Sequence, residues 1–279
     1  MKKLGKLIAL LMVCCVLLPL GGCEHKGKNA TVSSDGISAV PTLHPDEVYA
    51  QLPNTLQAWG LKKEKGKRPE MPPAVIKTFQ EFNAVYLSEK LGKNLYLTFD
   101  EGYENGYTAP ILDVLKKTET PAAFFITGDY LKKEPVLVKR MTEEGHIVGN
   151  HTVNHPSMPS VTDNAALSAE ITKLNDDYAS LTGQNMKYLR PPKGEYSERT
   201  LAITKDLGYK TVLWSFAYAD WERDKQKGAD HAYNAVMPYL HDGAVLLLHA
   251  VSKDNAEALE RIITDAKAQG YTFRSLDEL

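Results

Sequence analysis

Asn94-Leu-Tyr-Leu-Thr-Phe-Asp-Glu-Gly102 is a short apolar run that ends on two adjacent carboxylates. Its meaning comes from recurrence. Apolar runs at residues 94–99, 122–127, 146–149, 187–189, 210–214, 244–248 and 271–273 alternate with helix-patterned segments at 110–117, 136–144, 164–181, 198–207, 231–240 and 256–269. Glycine stop signals close several of the helical segments, in Glu144-Gly145, Leu207-Gly208 and Gln269-Gly270. Seven β/α units in succession predict an α/β fold with parallel strands, closed or nearly closed into a barrel at this chain length.

The polar residues fall at one end of these strands. Asp100 and Glu101 follow the first run, His151 and His155 the third, Arg190 the fourth, Asp220 the fifth and His249 the sixth. In a β/α barrel the C-terminal strand ends converge on one face, where barrel enzymes carry their chemistry. Surface charges scattered without function would have no reason to choose that face.

His151-Thr-Val-Asn-His155 would turn both rings to one side if it formed a helical turn, which is half of a metal site. Two histidines and a carboxylate leave a divalent ion with open positions, an arrangement suited to hydrolysis. Asp100 suits a proton acceptor and His249 a proton donor. Each has a plainer alternative: Asp100 as a cap, His249 as a core histidine, Arg190 as a surface ion pair, Asp220-Trp221 as a turn beside the core. Against these, the two prolines after Arg190 stiffen its loop and would hold the guanidinium toward a carboxylate. Asp220 would then fix His249, and Trp221 would line a slot for a small acyl group.

The formal net charge of -2 gives no reason to expect a nucleic-acid partner. The basic run Lys62-Lys-Glu-Lys-Gly-Lys-Arg68 reads as a solvated loop, with contact to an anionic polymer or lipid headgroups as the alternative. Met1-Lys-Lys-Leu-Gly-Lys6 and the apolar residues 7–20 have the layout of a secretory signal, too short for an ordinary membrane span. The ending Leu20-Gly-Gly-Cys23 resembles the lipobox of bacterial lipoproteins, which makes Cys23 the acylated first residue of the mature chain; a conventional signal with a chance cysteine is the alternative. Residues 1–22 are then a lipoprotein signal, 23–45 a polar tether, 46–92 an N-terminal extension and 93–279 the barrel. Cys14, Cys15 and Cys23 all fall at the start, so the mature chain has no internal disulfide. The extension carries one helix-like stretch at 74–87, and Trp59 as an apolar anchor that docks it, or, alternatively, stacks on sugar. No heptad pattern demands a partner, so a monomer is expected.

Thr98-Phe-Asp-Glu-Gly102, His151-Thr-Val-Asn-His155, Arg190-Pro-Pro-Lys-Gly194, Asp220-Trp221 and Leu246-Leu-Leu-His249, in this order, resemble the five motifs of the polysaccharide deacetylase family, carbohydrate esterase family 4. The likeness spans residues 94–279. It implies a distorted (β/α)7 barrel and metal-dependent de-N-acetylation. By the same likeness Asp100 is the base, His249 the acid, Arg190 orients Asp100 and Asp220 tunes His249, while His151 and His155 bind the metal. A backbone N–H in the third motif, that of Lys193, would face the oxyanion. Glu101-Gly-Tyr-Glu-Asn-Gly-Tyr107, Ala219-Asp-Trp221 and Ser252-Lys-Asp-Asn-Ala-Glu-Ala-Leu259 resemble more closely the branch that makes muramic δ-lactam in spore cortex peptidoglycan. Tyr103 and Trp221 then belong to the substrate wall.

One position departs from the family pattern. Glu101 stands where the motif has a metal-binding Asp, and is expected as the third ligand. Zinc suits two imidazoles and a carboxylate, with manganese, magnesium or cobalt as alternatives. The expected activity is removal of acetate from N-acetylmuramic acid in peptidoglycan, at the outer face of the cytoplasmic membrane, in the cell wall or spore cortex. The alternatives are a deacetylase of N-acetylglucosamine or another polysaccharide, and a non-catalytic glycan-binding lipoprotein disabled at Glu101.

Overall fold

Alternation along one strand separates the inside of the barrel from its shell. The structure, a computed structural model, describes residues 45–279; the signal segment, Cys23 and the tether up to residue 44 lie outside the described residues. The N-terminal extension contributes α1 (Pro45–Gln51), β1 (Gln57–Ala58), α2 (Pro73–Glu81) and β2 (Ala84–Val85). The barrel follows with β3 (Asn94–Glu101), α3 (Thr108–Lys117), β4 (Ala122–Ile126), α4 (Gly128–Lys133), α5 (Pro135–Glu143), β5 (Ile147–Asn150), α6 (Asn164–Thr182) and β6 (Tyr188–Leu189). It continues with β7 (Glu195–Tyr196), α7 (Glu198–Asp206), β8 (Lys210–Val212), α8 (Ala229–Val236), β9 (Ala244–His249), α9 (Lys253–Ala268) and β10 (Thr272–Phe273).

The main sheet runs β10-β3-β4-β5-β6-β8-β2, with β9 also paired to β3, and every ladder in it is parallel. The seven expected barrel strands are all in it, and the fold is a distorted (β/α)7 barrel. On β3, Leu95, Leu97 and Phe99 pack outward against the helices, whereas Tyr96 joins Phe125, Tyr188, Val212 and Val245 in an inner cluster. Leu276 from the C-terminal turn completes that cluster, and its carbonyl accepts a hydrogen bond from the Tyr188 hydroxyl (3.1 Å). The N-terminal end of the barrel is thereby filled, and the C-terminal end is left for the site.

The extension is more than a flap on a finished domain. The helix expected over 74–87 stops at Glu81, because Asn83 turns left-handed (φ 53°) and the chain resumes as β2. β2 pairs with β8, Leu87 bridges to Ala244 of β9, and the Ser88 N–H donates to the Gly243 carbonyl (2.9 Å). Residues of the extension therefore close the gap between β8 and β9. Trp59 is buried beside Phe79 and Tyr86, at ring separations of 5.2 and 5.3 Å, so it docks the extension and presents no face to sugar.

Candidate active site

Asp100 is the last inward-facing residue of β3, two steps beyond Thr98 and four beyond Tyr96. Its Oδ1 accepts a hydrogen bond from Arg190 Nη1 (2.7 Å), and its Oδ2 lies 3.6 Å from His151 Nε2. Burial pushes the Asp100 carboxyl up, but the Arg190 guanidinium, with help from His151 and His249, outweighs this and holds it below its ordinary value. Arg190 is itself fully buried, with Nε donating to the Val212 carbonyl (3.0 Å) and its plane 4.2 Å from the Phe125 ring centre. Several fixed contacts leave this guanidinium little freedom, so the carboxylate it holds is aimed as well as charged.

The His151–His155 stretch is not a helical turn. Thr152 and His155 are both left-handed (φ 64° and 57°), and the loop coils tightly enough to bring the two rings within 4.8 Å. Side chains from inside and outside the motif impose this path. Asn150 Oδ1 accepts from the Thr152 N–H (2.9 Å), the His155 N–H donates to Thr152 Oγ1 (3.1 Å), and Glu170 on α6 accepts from Asn154. His151 Nδ1 faces the Arg190 carbonyl at 2.8 Å. A carbonyl only accepts, so Nδ1 carries the proton and the Nε2 lone pair is free. Burial lowers His151 to about 4, which keeps the ring neutral.

His249 closes the other side. Its Nδ1 bonds Asp220 Oδ1 (2.7 Å), and its backbone N–H donates to Asp220 Oδ2 (2.8 Å). Burial pulls the imidazole down, yet the Asp220 charge and hydrogen bond outweigh it and the net shift is upward. Trp221, half exposed, sets its ring edge-on to His249 at 5.5 Å. Lys193 takes a left-handed backbone (φ 60°) in the turn after Arg190-Pro-Pro192. Gly194 follows it at φ 67°, where a Cβ would meet the Trp214 ring at 2.7 Å and Trp59 Cβ at 3.0 Å.

Asp100, His151, His155, Lys193, Trp221 and His249 together line a cavity of about 1070 Å3, with Tyr103 at its edge. Arg190 and Asp220 stand behind their partners. The structure does not bring Glu101 to them. Glu101 follows the outward parity of Leu97 and Phe99, is fully buried, and neither carboxylate oxygen has a hydrogen-bond partner. Burial, with Glu104 and Asp100 adding like charge, raises it well above the ordinary glutamate value. Residues that carried no assigned role in the sequence also shape the site: Asn150 and Glu170 hold the histidine loop, and Asn255 holds Asp220. Asn255 lies within a quoted stretch, but nothing in the pattern singled it out.

A family model described as polysaccharide deacetylase matches residues 88–212. The peptidoglycan-N-acetylmuramic acid deacetylase PdaA of Bacillus subtilis is 46% identical over 230 residues, 82% of this chain and 87% of that one. This chain belongs to the polysaccharide deacetylase family. The solved structure of Bacillus subtilis PdaA, described as a family 4 carbohydrate esterase, matches with a TM-score of 0.79 at 45% identity, covering 82% of this chain and 98% of that one. The peptidoglycan-N-acetylglucosamine deacetylase PgdA of Listeria monocytogenes is 32% identical over 222 residues, 78% of this chain and 46% of that one. This polysaccharide deacetylase is a hydrolase, a de-N-acetylase on the family barrel.

The family is in general metal-dependent. The imidazole pair fits a divalent ion: both rings reach the cavity, and the second nitrogen of His151 is committed to a carbonyl, as second-sphere support for a ligand requires. Glu101 does not fit as the third donor in its present direction, and among the described residues no group of three or more His, Cys, Asp and Glu side chains stands ready to hold an ion.

Proposed function

We propose that this polysaccharide deacetylase hydrolyses the N-acetyl amide of N-acetylmuramic acid in peptidoglycan, with Asp100 as base and His249 as acid. One observation carries the reading: across a single cavity stand a carboxylate that the Arg190 guanidinium biases toward its ionised form and an imidazole that the Asp220 carboxylate biases toward its protonated form. Amide hydrolysis needs both states at once. Asp100 takes a proton from the attacking water as the oxygen adds to the acetyl carbon. His249 gives a proton to the departing nitrogen, and acetate and a free amine result. On a muramic acid residue freed of its peptide, that amine condenses with the lactyl carboxylate, losing water, to form the δ-lactam.

A divalent ion bound by His151 and His155, zinc or alternatively manganese, magnesium or cobalt, supplies polarisation of the acetyl carbonyl and acidification of the water. The Lys193 backbone N–H is the proposed second contact to the carbonyl oxygen. Trp221 and Tyr103 wall the acyl and sugar sides.

The muramic acid reading is supported by the 46% identity to PdaA; the 32% identity to PgdA favours glucosamine as the second reading. A non-catalytic binder has no use for two opposed, separately tuned proton carriers. The Leu20-Gly-Gly-Cys23 stretch supports secretion and anchorage through Cys23 at the outer membrane face, beside the wall or cortex. Asp100→Asn tests the catalytic reading: acetate release should fall by about 10²–10⁴-fold while affinity for glycan strands is retained. Unchanged acetate release would remove Asp100 from the mechanism.

A further inference from the structure

Asp220 is held from behind by a residue that touches neither the cavity nor the reacting atoms. Asn255, the third residue of α9, is buried (1% exposed) and donates from Nδ2 to Asp220 Oδ2 (2.6 Å) and to the His249 carbonyl (3.2 Å). Its Oδ1 accepts from the Tyr218 hydroxyl. The two groups facing Nδ2 are acceptors only, so the amide has one orientation that satisfies them, and Tyr218 completes it from the other side. The Ser252 hydroxyl caps α9 and accepts from the Asn255 N–H (3.2 Å), which fixes the backbone of Asn255 as well. Gln226 then ties the two segments together, donating to the Asp220 carbonyl (3.3 Å) while its Oε1 accepts from the Ser252 hydroxyl (2.8 Å).

Asp220 needs this hold. Its Oδ1 accepts from His249 Nδ1, and its Oδ2 from the His249 N–H. Rotation of the carboxylate would exchange or break the first of these, and the Asn255 amide on Oδ2 opposes that rotation. We propose that Asn255, oriented by Tyr218, is a positioning residue for the general acid, locking the Asp220 carboxylate so that the His249 ring stays hydrogen-bonded through Nδ1 and aimed into the cavity. This rests on the reading of His249 as the acid.

The groups acting on His249 are Asp220 from the loop after β8, Asp100 from β3 and Arg190 from the loop after β6. His155, from the loop after β5, is close enough to feel its charge. Among the described residues only Asp220 hydrogen-bonds its ring, and of these four groups only Asp220 is bonded by Asn255. Loss of the Asn255 hold therefore reaches the His249 ring through Asp220, while the bond to the His249 carbonyl touches only its backbone. The sign follows: the acid works protonated, rate falls as pH rises through its pKa, and a weaker hold by Asp220 moves that descending limb to lower pH.

The test is acetate release from peptide-free glycan strands across pH by the purified full-length protein, comparing Asn255→Leu and Tyr218→Phe with wild type, and with His249→Gln as a control. Asn255→Leu should lower kcat by about 10–100-fold, leave KM within about twofold, and move the descending limb down by about half a unit or more. Tyr218→Phe should move the limb the same way by less, and it decides the matter should Asn255→Leu fail to fold. A merely structural asparagine would lower the melting temperature and leave the limb in place. If His249→Gln is inactive while both variants keep the wild-type limb, the positioning role is overturned and the acid reading stands. If His249→Gln retains full activity, both fall.

Discussion

Glu101 occupies the position where the motif expects a metal ligand, yet it lies in the shell between β3 and the helices with both oxygens unpartnered. A buried polar group without a partner costs about 1–3 kcal/mol, and an apolar side chain of similar volume avoids that cost. Glu101→Met should therefore raise the free energy of unfolding at pH 8 by about 1–3 kcal/mol, measured by denaturant titration. Because the folded state holds this proton to a higher pH than the unfolded state, wild-type stability contributed here is present below the ordinary glutamate value of 4.5 and falls as pH rises above it. The variant should lose that slope. Zinc affinity by calorimetry should stay within about twofold; a drop of about tenfold or more would place the carboxylate on the ion. The facing of Glu101 was legible in principle, since alternation that turns Asp100 inward turns its neighbour outward. The approach of His151 and His155 was legible from spacing, but its means was not. Left-handed backbone at Thr152 and His155 depends on Asn150 and on Glu170, which lies on another element.

At the scale of elements, the extension and the barrel share one core. Trp59 packs on Phe79 and Tyr86, donates from Nε1 to the Trp214 carbonyl (2.9 Å), and its N–H donates to the Gly194 carbonyl (2.9 Å). Trp59→Ala should cost about 3–5 kcal/mol by chemical denaturation, and should lower kcat by loosening the turn that carries Lys193. A loss under about 1 kcal/mol would mean that the extension docks without Trp59. The seven barrel strands stood out in the sequence because each is a short apolar run bounded by turn residues. β1, β2 and β7 did not: β6 and β10 are as short, but each follows the glycine that ends an α-helix, Gly183 or Gly270, whereas these three have no such marker, and 74–87 looked helical because the residues after Asn83 continue its apolar spacing. Long elements carry their own signal; short ones take their conformation from the partner they pair with.

For the whole molecule, the barrel's N-terminal end is filled by Tyr96, Tyr188 and Leu276, and Asp100, His151, His155 and His249 line the cavity at the opposite end. A polymer laid across that open end can present one acetamido group to Asp100 and His249 without threading its chain through the protein. The group presented is, on the proposed function, that of muramic acid. The measurement that tests it most directly is acetate release by the purified protein from peptide-free glycan strands and from intact peptidoglycan, side by side, with metal restored after chelation and the deacetylated sugar identified by mass spectrometry. Release from the peptide-free strands, traced to muramic acid and followed by δ-lactam, is the expected result. Release traced to glucosamine from both substrates would contradict it, leaving the acid and base where they are and moving the specificity to the other sugar.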